Sequence, residues 1–342
     1  MKILVTGGTG FVGSHTVRQL VSDGHDVRLL VRSERSVTQA LTPLGLDASR
    51  FEIVLGDVTD RDSIRKAVDG MQAVVHGASV FTMDKRREKE INKTNRYGTE
   101  VVLHESWRAG LDPIVHVSSV GALLPAQRGS VISDKSPPSS MSVGPYIDSK
   151  AEQEVIARDL QAKGAPVTIT YPGAVMGPHD PHWGDGPLLI ESVLKNRVRA
   201  AIHGCLPIVD VRDVARLHSA VMNPGAGPRR FMFSGTSITF VEFVSLLSRL
   251  TGRTIHCTIV PSWLVTPIIQ LMDKVQGFVP FRMPVTTEGL TVFKRDLKFV
   301  DSTTVDGVEV ERTDLKMTMT DMIKWMYTIG QISPDYAGKL SN

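Results

Sequence analysis

The sequence predicts an α/β fold: a doubly wound parallel sheet with a smaller, mainly C-terminal α/β lobe. Three observations predict it. Short apolar runs alternate with segments of helical spacing through the first half of the chain. Most of the apolar runs are continuous, as strands are when helices cover both faces of their sheet. A glycine-rich stretch, "TGGTGFVG", joins the first such run to the first helical segment.

The elements follow in order. "KILVTG" is the first strand. "GFVGSHTVRQLVSDG" is a helix, with Phe11, Val12, His15, Val17, Leu20 and Val21 on one stripe and Gly24 as its stop. "HDVRLLVR" and "RFEIVLGD" are the second and third strands. "DRDSIRKAVDG" is a helix with Asp60 or Asp62 as N-cap and Gly70 at its end. "MQAVVHGAS" is the fourth strand, and a helix covers about residues 91–109. "DPIVHVSS" is the fifth strand, "YIDSKAEQEVIARDLQAKG" a helix, and "PVTITYPG" the sixth strand. Strands alternating with helices give parallel pairing through right-handed crossovers. Residues 1–178 therefore read as a Rossmann-type dinucleotide-binding domain. Residues 179–342 read mostly as the second lobe, with about 205–235 returning to the first domain. That return holds the helix "VDVRDVARLHSAVM", in which Asp210 and Asp213 cap and orient, and the strand "RRFMFSG".

Composition narrows the function. The chain has 342 residues, 42% hydrophobic and 22% charged, with a net charge of +3. Basic residues are scattered and aromatics are 6%, which argues against a nucleic-acid partner. Cys205 and Cys257 lie in no metal-type spacing, as in a reduced cytoplasmic protein. No secretory signal precedes the first strand. The longest apolar stretch, "PSWLVTPIIQLM", is shorter than the roughly 18 residues of a spanning helix, so no integral membrane segment is expected.

The glycine loop points to a bound dinucleotide. Backbone amides at a helix N-terminus attract anions. Gly7 permits the turn, Gly10 lets a pyrophosphate approach, and Gly13 lets the helix pack on the strand, with Phe11 and Val12 opening that helix. Arg32 stands about twenty residues on, where an acid would bind a ribose 2′-hydroxyl, with Arg35 beside it. Arginine suits a 2′-phosphate, so NADP(H) is expected, with NAD(H) as the alternative, and Glu34 is the one acid near enough to turn inward. Asp57 and the Val58 amide read as adenine contacts, or Asp57 as a helix cap.

Tyr146 and Lys150 are four residues apart on one helix face. A nearby ammonium lowers a phenol's pKa and makes the pair a general acid/base. Ser118 and Ser119 end the fifth strand, at the sheet edge where ligands bind.

With these motifs the chain resembles the extended short-chain dehydrogenase/reductase (NAD-dependent epimerase/dehydratase) family. The segments that carry the likeness are "TGGTGFVG", "GDVTD", "VVHGAS", "TNRYGTEVVL", "HVSSVGA", "YIDSK", "YPGAVMGP" and "VDVRDVA". The resemblance implies Tyr146 as acid/base and Lys150 as its partner and ribose ligand. It implies Ser119 as the carbonyl-polarising hydroxyl, Ser118 as the fallback beside the cofactor, and Asn95 as the family's helix asparagine. His76 and Ala78 would line the cofactor channel, and Pro172 and Gly173 would lie by the nicotinamide amide. Where nucleotide-sugar enzymes of the family carry Arg, Asn and Tyr after the sixth strand, this chain has Tyr171, Ala174 and Met176; Val101 replaces a further Asn. The pattern looks more like the dihydroflavonol reductase and 3β-hydroxysteroid dehydrogenase branch.

Ala174, Val175 and Met176 would then form an apolar wall, with Phe81 and Met83 opposite. The expected function is an NADP(H)-dependent oxidoreductase moving a hydride between nicotinamide and a ketone or secondary alcohol on a bulky, steroid- or flavonoid-like small molecule. The alternatives are a nucleotide-sugar epimerase/dehydratase with bound NAD and a non-catalytic NADPH sensor. His179 and His182, with Asp180 and Asp185, read as a polar loop rather than a metal site. Trp263, Leu264, Ile268, Ile269, Leu271 and Met272, with Phe278 and Phe281, form either a lid or a packed helix. Family members pair through two helices, here 91–109 and 146–162, so a homodimer is expected.

Overall fold

The structure, a computed structural model, describes residues 1–82, 85–124, 127–275 and 286–341. Its centre is a seven-stranded sheet of β1 (Lys2–Thr6), β2 (Asp26–Val31), β3 (Glu52–Leu55), β4 (Ala73–His76), β5 (Ile114–Val117), β7 (Val167–Pro172) and β11 (Arg229–Phe233). The spatial order is β11-β7-β5-β4-β1-β2-β3, and every pairing is parallel. Leu4 stands beside Arg28 on one side and Val74 on the other. The order reverses between β1 and β4, and such a switch point leaves a crevice at the C-terminal strand ends.

Alternate residues of β1 feed opposite faces. Leu4 packs with Val74, Ile114, Ile169 and Tyr171, while Ile3 and Val5 pack with Val75, Val115 and Phe231. All are buried, each leucine or isoleucine contributing about 1.5–3 kcal/mol before entropy is charged against it. Helices α1 (Phe11–Ser22), α2 (Glu34–Leu41) and α3 (Arg61–Val68) cover the β1–β3 half. Asp60 caps α3 by accepting from the Asp62 and Ser63 amides.

The helix expected over 91–109 has three geometries: α4 (Glu88–Ile91), a π-helical turn (Asn92–Tyr97) and α5 (Gly98–Arg108). The widened turn leaves the Asn95 carbonyl to accept from Gln153 Nε2 at 2.7 Å. A side chain drawing a carbonyl out of the helical ladder is a recognised cause of such a bulge. α6 (Pro145–Ala162) begins with proline at its first position, where a missing N–H costs nothing.

The second lobe is built on a three-stranded sheet of β8 (Ala174–Met176), β10 (Cys205–Asp210) and β12 (Thr236–Thr239). Short pairs join β6 (Val131–Ile132) to β14 (Lys298–Phe299) and β9 (Ala200–Ala201) to β13 (Thr258–Ile259). Helices α7 (Asp185–Leu194), α9 (Phe240–Thr251) and α12 (Leu315–Thr328) pack around Met176, Phe243, Leu247 and Met322. Between β10 and β12 the chain returns through α8 (Val211–Ala220), which lies on α1, and through β11. There His218 is fully buried, its ring nitrogens 2.8 Å from Thr16 Oγ1 and 3.1 Å from Thr170 Oγ1. Asp210 caps α8, and Asp213 accepts from the Thr313 amide and hydroxyl. Among the described residues the chain also forms α10 (Ser262–Val275), α11 (Thr287–Phe293) and α13 (Pro334–Ala337). No helix among the described residues is long and apolar enough to cross a membrane.

Candidate active site

The glycine loop fills the crevice between β1 and β4. Gly7 has φ +76°, a left-handed conformation that L side chains rarely adopt. A Cβ at Gly13 would stand 2.0 Å from the Gly7 carbonyl oxygen, so helix and loop touch only because both residues are glycine. A Cβ at Gly10 would meet nothing nearer than that same oxygen, at 3.3 Å. Gly10 is the N-cap of α1, has no side-chain cap, and no acid occupies the first turn. The amides of Phe11, Val12 and Gly13 open α1 with no side chain capping them, and such a helix start, with glycines letting the backbone be approached closely, fits the pyrophosphate of a dinucleotide.

Ala78 lies on the facing wall, its amide nitrogen 2.6 Å from where a Gly7 Cβ would be. His76 does not face the channel. Its ring is buried, with Nδ1 2.7 Å from Thr6 Oγ1 and Nε2 2.9 Å from Thr99 Oγ1, and it stacks on His116. Alternation along β4 turns it into the core. Arg32 and Arg35 are exposed beyond β2, and among the described residues neither makes an ion pair. Asp57 accepts from the Thr59 amide and hydroxyl, not from the helix that follows. Burial works against its charge, but those bonds and the Arg32 guanidinium hold its carboxyl below the usual range. Val58 is buried against Gly98.

α6 carries Tyr146 and Lys150, 8% and 4% exposed. Phe81 sets its ring edge-on to Tyr146, centroids 4.8 Å apart. Ser119 is half-buried at the end of β5. Its Oγ accepts from the Gly121 amide at 3.1 Å, which leaves the hydroxyl proton to donate. Ser118 is different: it is buried and donates to Glu154 Oε2 at 3.0 Å. Lys150 Nζ points at the Val117 carbonyl, 3.4 Å away. Burial lowers its pKa to about 8, against the opposing pull of Glu154.

The expected lowering of the Tyr146 pKa is absent. Burial raises it above the ordinary phenol value, and the carboxylates of Glu288 and Asp185 add to the rise. Desolvation of the phenolate is the largest cause, and the two carboxylates act in the same direction. A phenol so placed stays protonated at neutral pH and is ready to donate.

Asn95 is fully buried in the π turn, with its side chain fully engaged. Its Oδ1 accepts from Val80 N at 2.7 Å, and its Nδ2 donates to Val80 O and Ser149 Oγ. It fastens the loop bearing Phe81 to the helix bearing Tyr146. Behind Lys150, Glu154 accepts from Ser118, from the Tyr171 hydroxyl at 2.6 Å and from Arg158 Nε at 2.6 Å. Sequence reading missed Glu154 and Arg158, although Tyr146, Lys150, Glu154 and Arg158 form a ladder at four-residue spacing. It also missed Glu288, for which no local signal exists.

The apolar wall is partly as expected. Ala174 and Val175 are half-buried along β8, but Met176 turns into the core of the second lobe with Phe243 and Met322. Pro172 is buried, and Gly173 runs so close to the Ser234 and Pro207 carbonyls that a Cβ would lie 2.2 and 2.4 Å from them. Met83, Phe278 and Phe281 lie outside the described residues. In the 178–184 loop Asp180 accepts from the His182 and Gly184 amides, and among the described residues no three His, Cys, Asp or Glu side chains gather around a metal-sized point. α10 buries Ile269 and leaves Trp263, Leu264, Ile268 and Leu271 exposed.

The model of the NAD dependent epimerase/dehydratase family matches residues 3–233. "Sterol demethylase protein B" of Methylococcus capsulatus is 30% identical over 83% of this chain and 85% of its own length. A "putative dihydroflavonol 4-reductase" of Synechocystis is 27% identical over 96% and 95%. The crystal structure of gox2253 superposes with a TM-score of 0.79 at 25% identity, covering 97% of this chain and 99% of that one.

Proposed function

The chain belongs to the NAD dependent epimerase/dehydratase family, and from that premise we propose an NADP(H)-dependent reductase of bulky, mostly apolar ketones. The coarser statement is established: it is an NAD(P)-dependent enzyme of the extended short-chain class, acting on CH–OH/C=O. The observation that carries the finer reading is the buried Tyr146 phenol, edge-on to Phe81, on the helix that presents Lys150. The nicotinamide supplies the hydride when bound. Tyr146 gives its proton to the carbonyl oxygen, Ser119 donates a hydrogen bond to that oxygen, and Lys150 balances the charge left on the phenol. Ala174, Val175 and Phe81 offer the substrate apolar surface, and similarity to a sterol demethylase protein and a putative flavonoid reductase supports a ring-bearing substrate. NADP(H) preference is supported by two exposed arginines, Arg32 just past β2 and Arg35 in α2, which make no ion pair among the described residues. A homodimer through the 91–109 and 146–162 helices is supported by Tyr97 and Val155, 41% and 46% exposed on those helices. A monomeric mass by light scattering would remove that last claim.

The test is NADPH consumption with a panel of bulky apolar ketones, Tyr146→Phe beside the wild type. Turnover that disappears in the variant supports the reading. No turnover, with NAD retained through purification and saturable nucleotide-sugar binding, would replace it with an epimerase or dehydratase. Cofactor binding with neither turnover nor nucleotide-sugar binding would indicate a sensor.

A further inference from the structure

Glu288 lies on α11, in the region that follows the family match. It is 1% exposed, and burying a carboxylate so completely demands a partner. One partner is remote in sequence: Ile147 N donates to Glu288 Oε1 at 2.7 Å across 141 residues. Ile147 lies in the first turn of α6, next to Tyr146. That helix needs an outside acceptor, because its N-cap, Gly144, has no side chain. The fit is close: a Cβ at Gly144 would stand 2.4 Å from Glu288 Oε2. Asp148 completes the turn by accepting from Val143 N at 2.8 Å and from Gly144 N. α11 is itself anchored, with Thr287 N donating to Asp273 on α10 and Leu290 packed on Ile202 and Ile269.

We propose that Glu288 is a positioning residue for Tyr146, capping the first turn of the catalytic helix from the C-terminal lobe and setting a negative charge beside the phenol. The proposal deepens the reductase reading and rests on it for the role of Tyr146. Among the described residues, Phe81 sits edge-on to the phenol and the Glu288 and Asp185 carboxylates act on it, while Lys150 lies one turn along the same helix. The Glu288 carboxylate in turn meets the Tyr146 phenol and the Ile147 amide, among its partners. A negative charge there disfavours phenolate, so it favours proton donation to a ketone over proton removal from an alcohol. The raised Tyr146 pKa agrees in direction.

Two variants separate cap from charge. Glu288→Gln keeps an acceptor oxygen and removes the charge; Glu288→Ala removes both. Amide hydrogen exchange is read on the protein alone, and the pH dependence of alcohol oxidation with NADP⁺ is read alongside. Glu288→Ala should exchange the Ile147 amide about tenfold faster, while Glu288→Gln stays near wild type. Glu288→Gln should move the alkaline rise of oxidation down by about one pH unit. Unchanged Ile147 exchange in Glu288→Ala overturns the proposal, and so does a Glu288→Gln profile that superimposes on wild type. Tyr146→Phe is the separate control: if it retains turnover, the reductase reading fails, and the exchange result still judges the cap.

Discussion

Replacing Glu154 with glutamine tests how Lys150 keeps its charge. Glu154 is fully buried one turn beyond Lys150 and holds Ser118, Tyr171 and Arg158. Lys150 already sits at about 8, pulled down by burial and pulled up by Glu154. An opposite charge within a few ångströms is worth about one to three pKa units, so the variant should bring Lys150 to about 7. At pH 7 the charged fraction then drops from about nine-tenths to about one-half. Stability falls as well. Arg158 loses its carboxylate but keeps the Ser136 carbonyl at 2.8 Å and some solvent access, so about 2–4 kcal/mol is expected rather than the full cost of stranding a buried charge. The assay is kcat/KM for NADPH against pH at saturating ketone, which reports groups on the free enzyme. The wild-type profile should lose activity above about pH 8, and the variant above about pH 7. A variant that is folded by its melting curve yet keeps the wild-type alkaline limb would refute the reasoning.

Arg32→Ala should weaken NADPH binding by about tenfold or more and NADH binding little, read by fluorescence titration; equal losses would remove the 2′-phosphate role. Gly13→Ala places a methyl 2.0 Å from the Gly7 oxygen, so α1 must retreat from the loop. It should cost about 1–3 kcal/mol and abolish measurable cofactor binding; a native melting temperature with native affinity would contradict this. Acid should destabilise the fold early. Burial lowers His15 to about 4 and His76 and His218 to about 3. Each stays neutral when folded and takes a proton near pH 6.5 when unfolded, so the unfolded state binds more protons below that pH. Stability is therefore lost as pH falls through about 6.5 to 4, by roughly 1.4 kcal/mol per unit for each histidine. Urea unfolding at stepped pH should show that slope, reduced by about one proton in His218→Gln; a flat profile between pH 6.5 and 5 would be inconsistent.

The sheet was legible because buried parallel strands write themselves as apolar runs: β1 and β4 do so almost unbroken, and β2, β5 and β7 do so around Arg28, His116, and Thr168 with Thr170. Gly7 and Gly13 announced the loop because no other residue fits that turn and that contact. Tyr146 and Lys150 were legible for the same local reason, a one-turn spacing on one helix. His76 was misplaced because the strand signal gives periodicity but not which face meets the ligand. Met176 was misplaced because β8 leaves the main sheet and joins another, a change that no local pattern encodes. Glu288 was invisible because its partner is brought to it only by the folded second lobe. The Tyr146 pKa went the other way because spacing reveals the ammonium but hides the desolvation and the distant carboxylates.

The return of the chain through α8 and β11 has a consequence for how this molecule can be altered. The polypeptide passes from the large sheet to the small one after β7, comes back after β10, and leaves again after β11. The two halves are interleaved, not strung in tandem. A fragment ending near residue 178 would lack its outermost strand and the helix that shields α1, with His218 gone from between Thr16 and Thr170. Exchanging the ligand-facing half for that of a relative cannot be done with one splice; it needs matched junctions after β7, β10 and β11, and again on either side of residues 297–310, where Leu297, Val305 and Val310 pack back into the cores of the large sheet.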